Sequence, residues 1–138
     1  MPNYAEYNAS DWSITVTSPS LGTFAVTGFD EDMFSYEKDE ANGEHVVGAL
    51  GDVIYNKRNN KLHTLGVTLQ ATSPCVPNLI TLGNTGEEFS VALINKSLGL
   101  RMGGSHARVT EAPAIEGSAE ASPMEFNIQI ADGTTENI

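Results

Sequence analysis

Three histidines and one cysteine are the side chains best equipped for chemistry in this chain. His45, His63 and His106 are far apart and match no metal-ligand spacing. His63 continues the apolar alternation of Leu65, Val67 and Leu69, which reads as a core histidine at a strand end. Cys75 lies beside an expected helix start, where a thiol pKa can fall, but nothing in the sequence pairs it with a histidine. A small packed side chain is the reading its spacing favours. Asp30-Glu31-Asp32 has the composition of a calcium loop and fails as an EF-hand, because Ser35 stands at the glycine position and Ala41 at the terminal glutamate position. Met102-Gly103-Gly104-Ser105 lacks the lysine of a phosphate loop. Glu87 and Glu88 are adjacent beside a strand, so they face opposite ways and cannot share a substrate. Asn8-Ala9-Ser10 and Asn95-Lys96-Ser97 match the glycosylation pattern, which has no use without a secretory route. The expectation is a non-enzymatic chain with no catalytic residues, no cofactor and no metal.

The elements that would position such side chains are mainly strands. Apolar and polar residues alternate with period two over residues 11–17, 23–27, 65–70, 89–94 and 124–130. Met124, Phe126, Ile128 and Ile130 against Glu125, Asn127 and Gln129 form the cleanest run. Weaker strands are expected at 34–39, 46–55 and 106–111. One short helix is expected, with Ser73 as N-cap, Pro74 at the first position, Val76, Leu79 and Ile80 on one face, and Gly83 as the stop. About seven strands and one helix suit a mainly β fold, a β-sandwich or partly open barrel. The segment 113–123 reads as an exposed loop and 132–138 as a loosely ordered tail.

With 138 residues, the chain is expected to form one domain. Its apolar fraction of 40% is globular. A net charge of −11 argues against sequence-reading contacts with nucleic acid and against anionic lipid. No apolar run is long enough to span a membrane, and the first residues lack a signal-peptide pattern, so a reducing cytosol or a particle assembled there is expected. Acidic residues dominate positions 1–44, where Lys38 is the one basic side chain, and positions 110–138, which have none. Lys57, Arg58 and Lys61 form the one basic cluster. It reads either as a solvated turn or as a knuckle for head-to-tail association with acidic surface.

Several groups resemble the tail tube proteins of contractile-tailed bacteriophages and R-type bacteriocins. They are Gly28-Phe29-Asp30 with Met33 and Phe34, the run Glu37-Lys38-Asp39-Glu40, and Val47-Gly48-Ala49-Leu50-Gly51-Asp52-Val53. Asn59-Asn60 then leads to Gly66-Val67-Thr68-Leu69-Gln70-Ala71-Thr72-Ser73-Pro74, followed later by Glu116-Gly117 and Glu125-Phe126. The resemblance covers about residues 10–132. The chain departs from the pattern at Val76, at Phe126 where the family often has Trp, and in its glycine-rich segment 99–104.

The resemblance implies a β-sandwich with one flanking helix, in which strands of six copies join into a continuous inner barrel. Such hexameric rings stack into a tube. It implies an N-terminal arm at 1–10, an interface hairpin at 33–60, and subunit contacts through Glu37, Lys38, Val47, Gly48, Gly51, Lys57, Arg58 and Lys61. Ser35, Glu37, Asp39, Thr68 and Gln70 are expected to line an acidic lumen through which DNA, preceded by a tape measure protein, passes without specific binding. Expected partners are further copies of the chain, a sheath protein, the tape measure and baseplate or terminator proteins, in a virion tail assembled in a bacterial cytoplasm. Competing readings are the inner tube of a bacteriocin or type VI-like device, a single-ring adaptor, and a ligand-binding β-sandwich using Trp12, Tyr4, Tyr7, Tyr36 or Tyr55.

Overall fold

Period-two alternation becomes strand almost wherever it runs, because it sorts side chains to the two faces of a pleated backbone. The computed structural model describes residues 6–111, 117 and 119–137. Among these, a 3-10 turn at Ala9–Asp11 leads into β1 (Trp12–Ser18), β2 (Gly22–Ala25), β3 (Phe29–Lys38), β4 (Gly43–Val47), β5 (Val53–Lys57) and β6 (His63–Leu69). Helix α1 (Val76–Thr85) follows, then β7 (Phe89–Asn95), β8 (Leu100–Glu111), β9 (Met124–Ile130) and β10 (Thr134–Asn137). One antiparallel sheet runs β2-β1-β7-β8-β9-β6-β3, with β10 also on β8. Strands β4 and β5 pair only with each other, as a separate two-stranded sheet.

The large sheet curls without closing. Trp12 on β1 meets Phe34 on edge strand β3 edge-to-face, with ring centroids 4.9 Å apart. The enclosed face holds Ile14, Val16, Leu65, Val67, Leu69, Phe89, Val91, Leu93, Val109, Phe126, Ile128 and Ile130, all buried. Helix α1 adds Val76, Leu79 and Leu82 to this core. Truncating a fully buried leucine such as Leu82 to Ala would cost about 2–5 kcal/mol through lost burial and the cavity left behind.

The curl has a corner in β8. Its first half pairs with β7 and β10, its second half with β9, and the register with β7 slips between Phe89 and Val91. Ser105 and His106 form the resulting bulge, a device that bends a strand. Asp132, from the turn between β9 and β10, ties the bulge down. Its carboxylate accepts Ser105 N–H at 3.0 Å, Ser105 Oγ–H at 2.6 Å and His106 N–H at 2.9 Å. Gly103 and Gly104 leave the space: a Cβ on Gly103 would overlap the Val91 carbonyl, and one on Gly104 would overlap Ile130 and the Asp132 carboxylate.

Several sequence expectations shift. The strand expected over 46–55 is instead the hairpin β4–β5, because Gly48 and Gly51 (φ +87°) turn the chain, with Gly48 N–H donating to Asp52 O. The helix starts at Val76 with Cys75 at the cap, and Pro77 falls in its first turn. Ser73 instead organises the approach, donating to Thr27 O at 2.5 Å. Gly83 lies inside the helix, close against Val109, and the left-handed stop is Gly86 (φ +67°). Residues 100–105 extend β8, and the tail supplies β10. The loop expected at 113–123 lies partly outside the described residues, as do residues 1–5 of the expected arm.

Burial pushes the Asp132 carboxyl up, but hydrogen bonds from the Ser105 side chain and from the His106 and Ser105 backbone outweigh it and bring the pKa from 3.8 down to about 2. A depressed carboxylate stabilises the fold above its unfolded pKa and loses that contribution as pH falls through the folded value. Thermal unfolding followed by circular dichroism should therefore lose stability between about pH 4 and pH 2, and Asp132→Asn should be less stable at neutral pH with a shallower acid limb. Identical acid limbs in the two proteins would remove Asp132 from this role.

Candidate functional site

The outward face of β3, β6, β9 and the second half of β8 is mostly polar. Register places Glu37 beside Thr64, Thr64 beside Gln129, and Gln129 beside Arg108. The next row is Ser35, Gly66 and Asn127, and a third holds Thr68 and Glu125. Buried Gly66 has no side chain to project, so Ser35 and Glu125 close over it. Of the expected lumen residues, Ser35, Glu37 and Thr68 share this face. Asp39 lies just past β3 and accepts Thr64 Oγ1–H at 2.5 Å. Gln70 lies past β6, exposed, its N–H donating to Gly28 O. Glu125, Asn127 and Gln129 complete the face; their alternation in the cleanest strand had already put them on its polar side.

At the β8 margin of this face stands an ion triad that sequence reading missed. Glu88 Oε1 is 2.6 Å from His106 Nδ1, and Glu88 Oε2 is 3.5 Å from Arg108 Nη2. The hydrogen bond from His106 holds the Glu88 carboxyl below its ordinary range, and the same bond raises the His106 pKa above 6.5. Glu87 turns the other way. Its carboxylate accepts from Ser20 Oγ at 2.5 Å and Ser18 Oγ at 2.8 Å, which lowers its pKa. The expected opposition of the two glutamates holds.

The hairpin β4–β5 carries apolar side chains on both of its faces. Val46 pairs with Ile54 on one face, and Val47 with Val53 on the other, where His45 also meets Tyr55 with ring centroids 4.9 Å apart. Val47 is 66% exposed, Ile54 64% and Leu50, at the turn, 94%. Of the expected contact residues, Val47, Gly48 and Gly51 form or flank this turn, and Lys57 ends β5. Arg58 faces the chain's own Glu44 at 3.8 Å and Glu40 at 4.0 Å. Lys38 donates to Asn42 at the hairpin base. Lys38 and Lys61 line a cleft of about 430 Å³ there, with Tyr36 and His63.

The remaining candidates are structural. His63 is buried, stacks on Tyr36 and donates from Nδ1 to Lys61 O at 2.8 Å. Burial raises the Tyr36 pKa, and its hydroxyl donates to Thr134 O. Cys75 is buried, with its thiol donating to Ala25 O at 3.2 Å. Trp12, one of the aromatic candidates of a ligand-binding reading, packs on Phe34 and donates Nε1–H to Tyr7 Oη. A shallow depression of about 560 Å³ on the outer face of β1, β7 and β8 has Thr15, Thr17, Ser90, Arg101 and Glu136 among its lining. Among the described residues no three His, Cys, Asp or Glu side chains stand close enough to hold a metal ion. Among the described residues no helix is long and apolar enough to cross a membrane.

No protein-family model and no curated protein matches the chain. Solved structures do. A chain of the anti-feeding prophage baseplate superposes with a TM-score of 0.60 at 11% identity, covering 99% of this chain and 98% of that one. A chain of the cap that terminates the anti-feeding prophage tube gives 0.57 at 10% identity, covering 100% and 95%. A chain of the sheath–tube complex of the extracellular contractile injection system PVC gives 0.56 at 13% identity, covering 96% and 93%. The fold is thus shared end to end with chains of contractile injection systems.

A histidine whose pKa is raised by a carboxylate partner contributes stability below its unfolded pKa and loses it as pH rises through the folded value. An NMR titration of His106 should give a midpoint above 6.5 that falls back in Glu88→Gln. A midpoint unmoved by the substitution would show that the pair is open in solution.

Proposed function

We propose that this chain is a structural subunit of a contractile-tail tube, acting by self-assembly. The observation that carries the reading is the hairpin β4–β5. A lone two-stranded hairpin is marginal in water, yet this one exposes Val46, Val47, Leu50, Val53, Ile54 and Tyr55. Apolar residues on both faces call for cover on both sides, which neighbouring copies in a ring and in the next ring supply. Lys38, Lys57 and Lys61 then meet acidic surface of a neighbour, and Glu37 and the Gly48–Gly51 turn complete the contact, while Arg58 braces the hairpin from within. Among the described residues, the main run of the sheet also ends in β2 and β3, each paired on one side only, while β10 adds a short margin on β8. Six copies joined edge to edge would complete both margins in one continuous barrel.

In that ring the polar face of β3, β6, β9 and β8 lines the bore. Ser35, Glu37, Thr68, Glu125, Asn127 and Gln129 offer hydroxyls, amides and carboxylates. An anionic or neutral wall repels a duplex carrying one charge per about 1.7 Å, so the duplex slides without being held. A sheath outside the tube, a tape measure protein within it, and baseplate and terminator proteins at its ends complete the partners. The place of action is a tail particle, either a virion or a genome-free injection device. A second reading is a terminator that forms a single ring, favoured by the likeness to a tube-terminating cap.

Negative-stain microscopy of the purified chain should show rings stacked into tubes; isolated rings alone would select the terminator. Val47→Asp with Ile54→Asp should abolish assembly and leave the circular dichroism of the subunit unchanged. A natural chain that sediments as a monomer at every concentration would end the tube reading.

A further inference from the structure

Among the described residues, the rows of the polar face hold one permanent cation, Arg108. The one other side chain there able to carry positive charge is His106, two residues before it on the exposed side of the same strand. Both point to a single carboxylate. Glu88 reaches His106 with one oxygen, at 2.6 Å, and Arg108 with the other, at 3.5 Å. Glu88 is not on the four strands of the face. It precedes β7 and reaches across to β8, while its neighbour Glu87 serves Ser18 and Ser20 on the opposite side. The other acid near His106, Asp132, is already engaged with the backbone of the bulge.

We infer that Glu88 is a charge clamp, which occupies Arg108 and His106 so that the polar face offers no free cation to a passing phosphate backbone. The inference rests on the reading of this face as the wall of the bore. A guanidinium takes a phosphate as readily as a carboxylate, by the same paired N–H donors. Each cation that binds a phosphate releases condensed counterions and strengthens retention, with a salt slope of about 0.9 per contact. Sixfold repetition would turn one uncovered arginine into a ring of them, and multivalency would convert weak contacts into arrest. A carboxylate fixed beside each arginine competes at a local concentration that DNA must overcome at every subunit.

The test assembles tubes in the presence of a short fluorescent duplex, pellets them, and measures nuclease-protected DNA at roughly 50 and 200 mM salt. The natural chain, Glu88→Gln, Glu88→Gln with Arg108→Gln, and Thr68→Lys are compared. Natural tubes should protect little DNA. Glu88→Gln tubes should protect several-fold more at the lower salt, the excess vanishing at the higher salt and in the double variant. Thr68→Lys, which adds a cation to the same face, should also retain DNA. Retention by Thr68→Lys but not by Glu88→Gln overturns the clamp and leaves the bore reading standing. Retention by neither variant, or DNA that pellets with the Thr68→Lys tubes but is digested by nuclease, overturns the bore reading and the clamp with it. A folded Glu88→Gln chain that fails to assemble makes the triad a structural tie and overturns the clamp as well.

Discussion

Both oxygens of the Asp132 carboxylate accept hydrogen bonds from β8 where that strand passes from one set of partners to another. The backbone there cannot satisfy itself, since a bulge leaves donors without ladder acceptors. A carboxylate is the strongest acceptor the chain has to offer, and a short turn between β9 and β10 delivers it. Everything on either side follows from that corner. It brings β1 round until Trp12 touches Phe34, encloses the apolar face, and leaves the polar rows of β3, β6, β9 and β8 outside.

Much of this was legible in the residues. The alternation of Trp12, Ile14 and Val16, and of Met124, Phe126, Ile128 and Ile130, gave strands and their inward faces, because burial on one face leaves a period of two in the sequence. The helix was legible as an element but not in its ends. Gly83 and Gly86 look alike in sequence, and only contact with Val109 shows that the first is a packing glycine and the second a stop. The corner was illegible for a similar reason: Gly103-Gly104-Ser105 names no partner, and Asp132 stands 27 residues from Ser105. The polar tail hid β10, whose pairing comes from its neighbour β8 and not from an apolar pattern of its own.

The candidate surfaces divide along the same line. Polar positions on a strand announce their face by alternation, which set Thr68 opposite Leu65, Val67 and Leu69; that Ser35 and Glu37 share its face comes from the register of β3 on β6. The Glu88 triad could not, because it joins the start of β7 to β8 across 18 and 20 residues. Charge on an exposed residue also says nothing of whom it serves. Arg58 reads as part of an outward knuckle in sequence, and in the fold it pairs with Glu44 on β4 and Glu40 just before that strand.

Among the described residues, strands β4 and β5 pair with each other and with no strand of the large sheet. Such a module can open and close while the core stays shut, since no core hydrogen bond has to break. In the proposed tube, an arm of that kind would proofread growth. It would settle only where both of its faces found matching surface, and a copy seated out of register would keep the arm loose and depart. Fidelity of a growing end would then come from the weakness of the arm in isolation, not from the strength of any single contact.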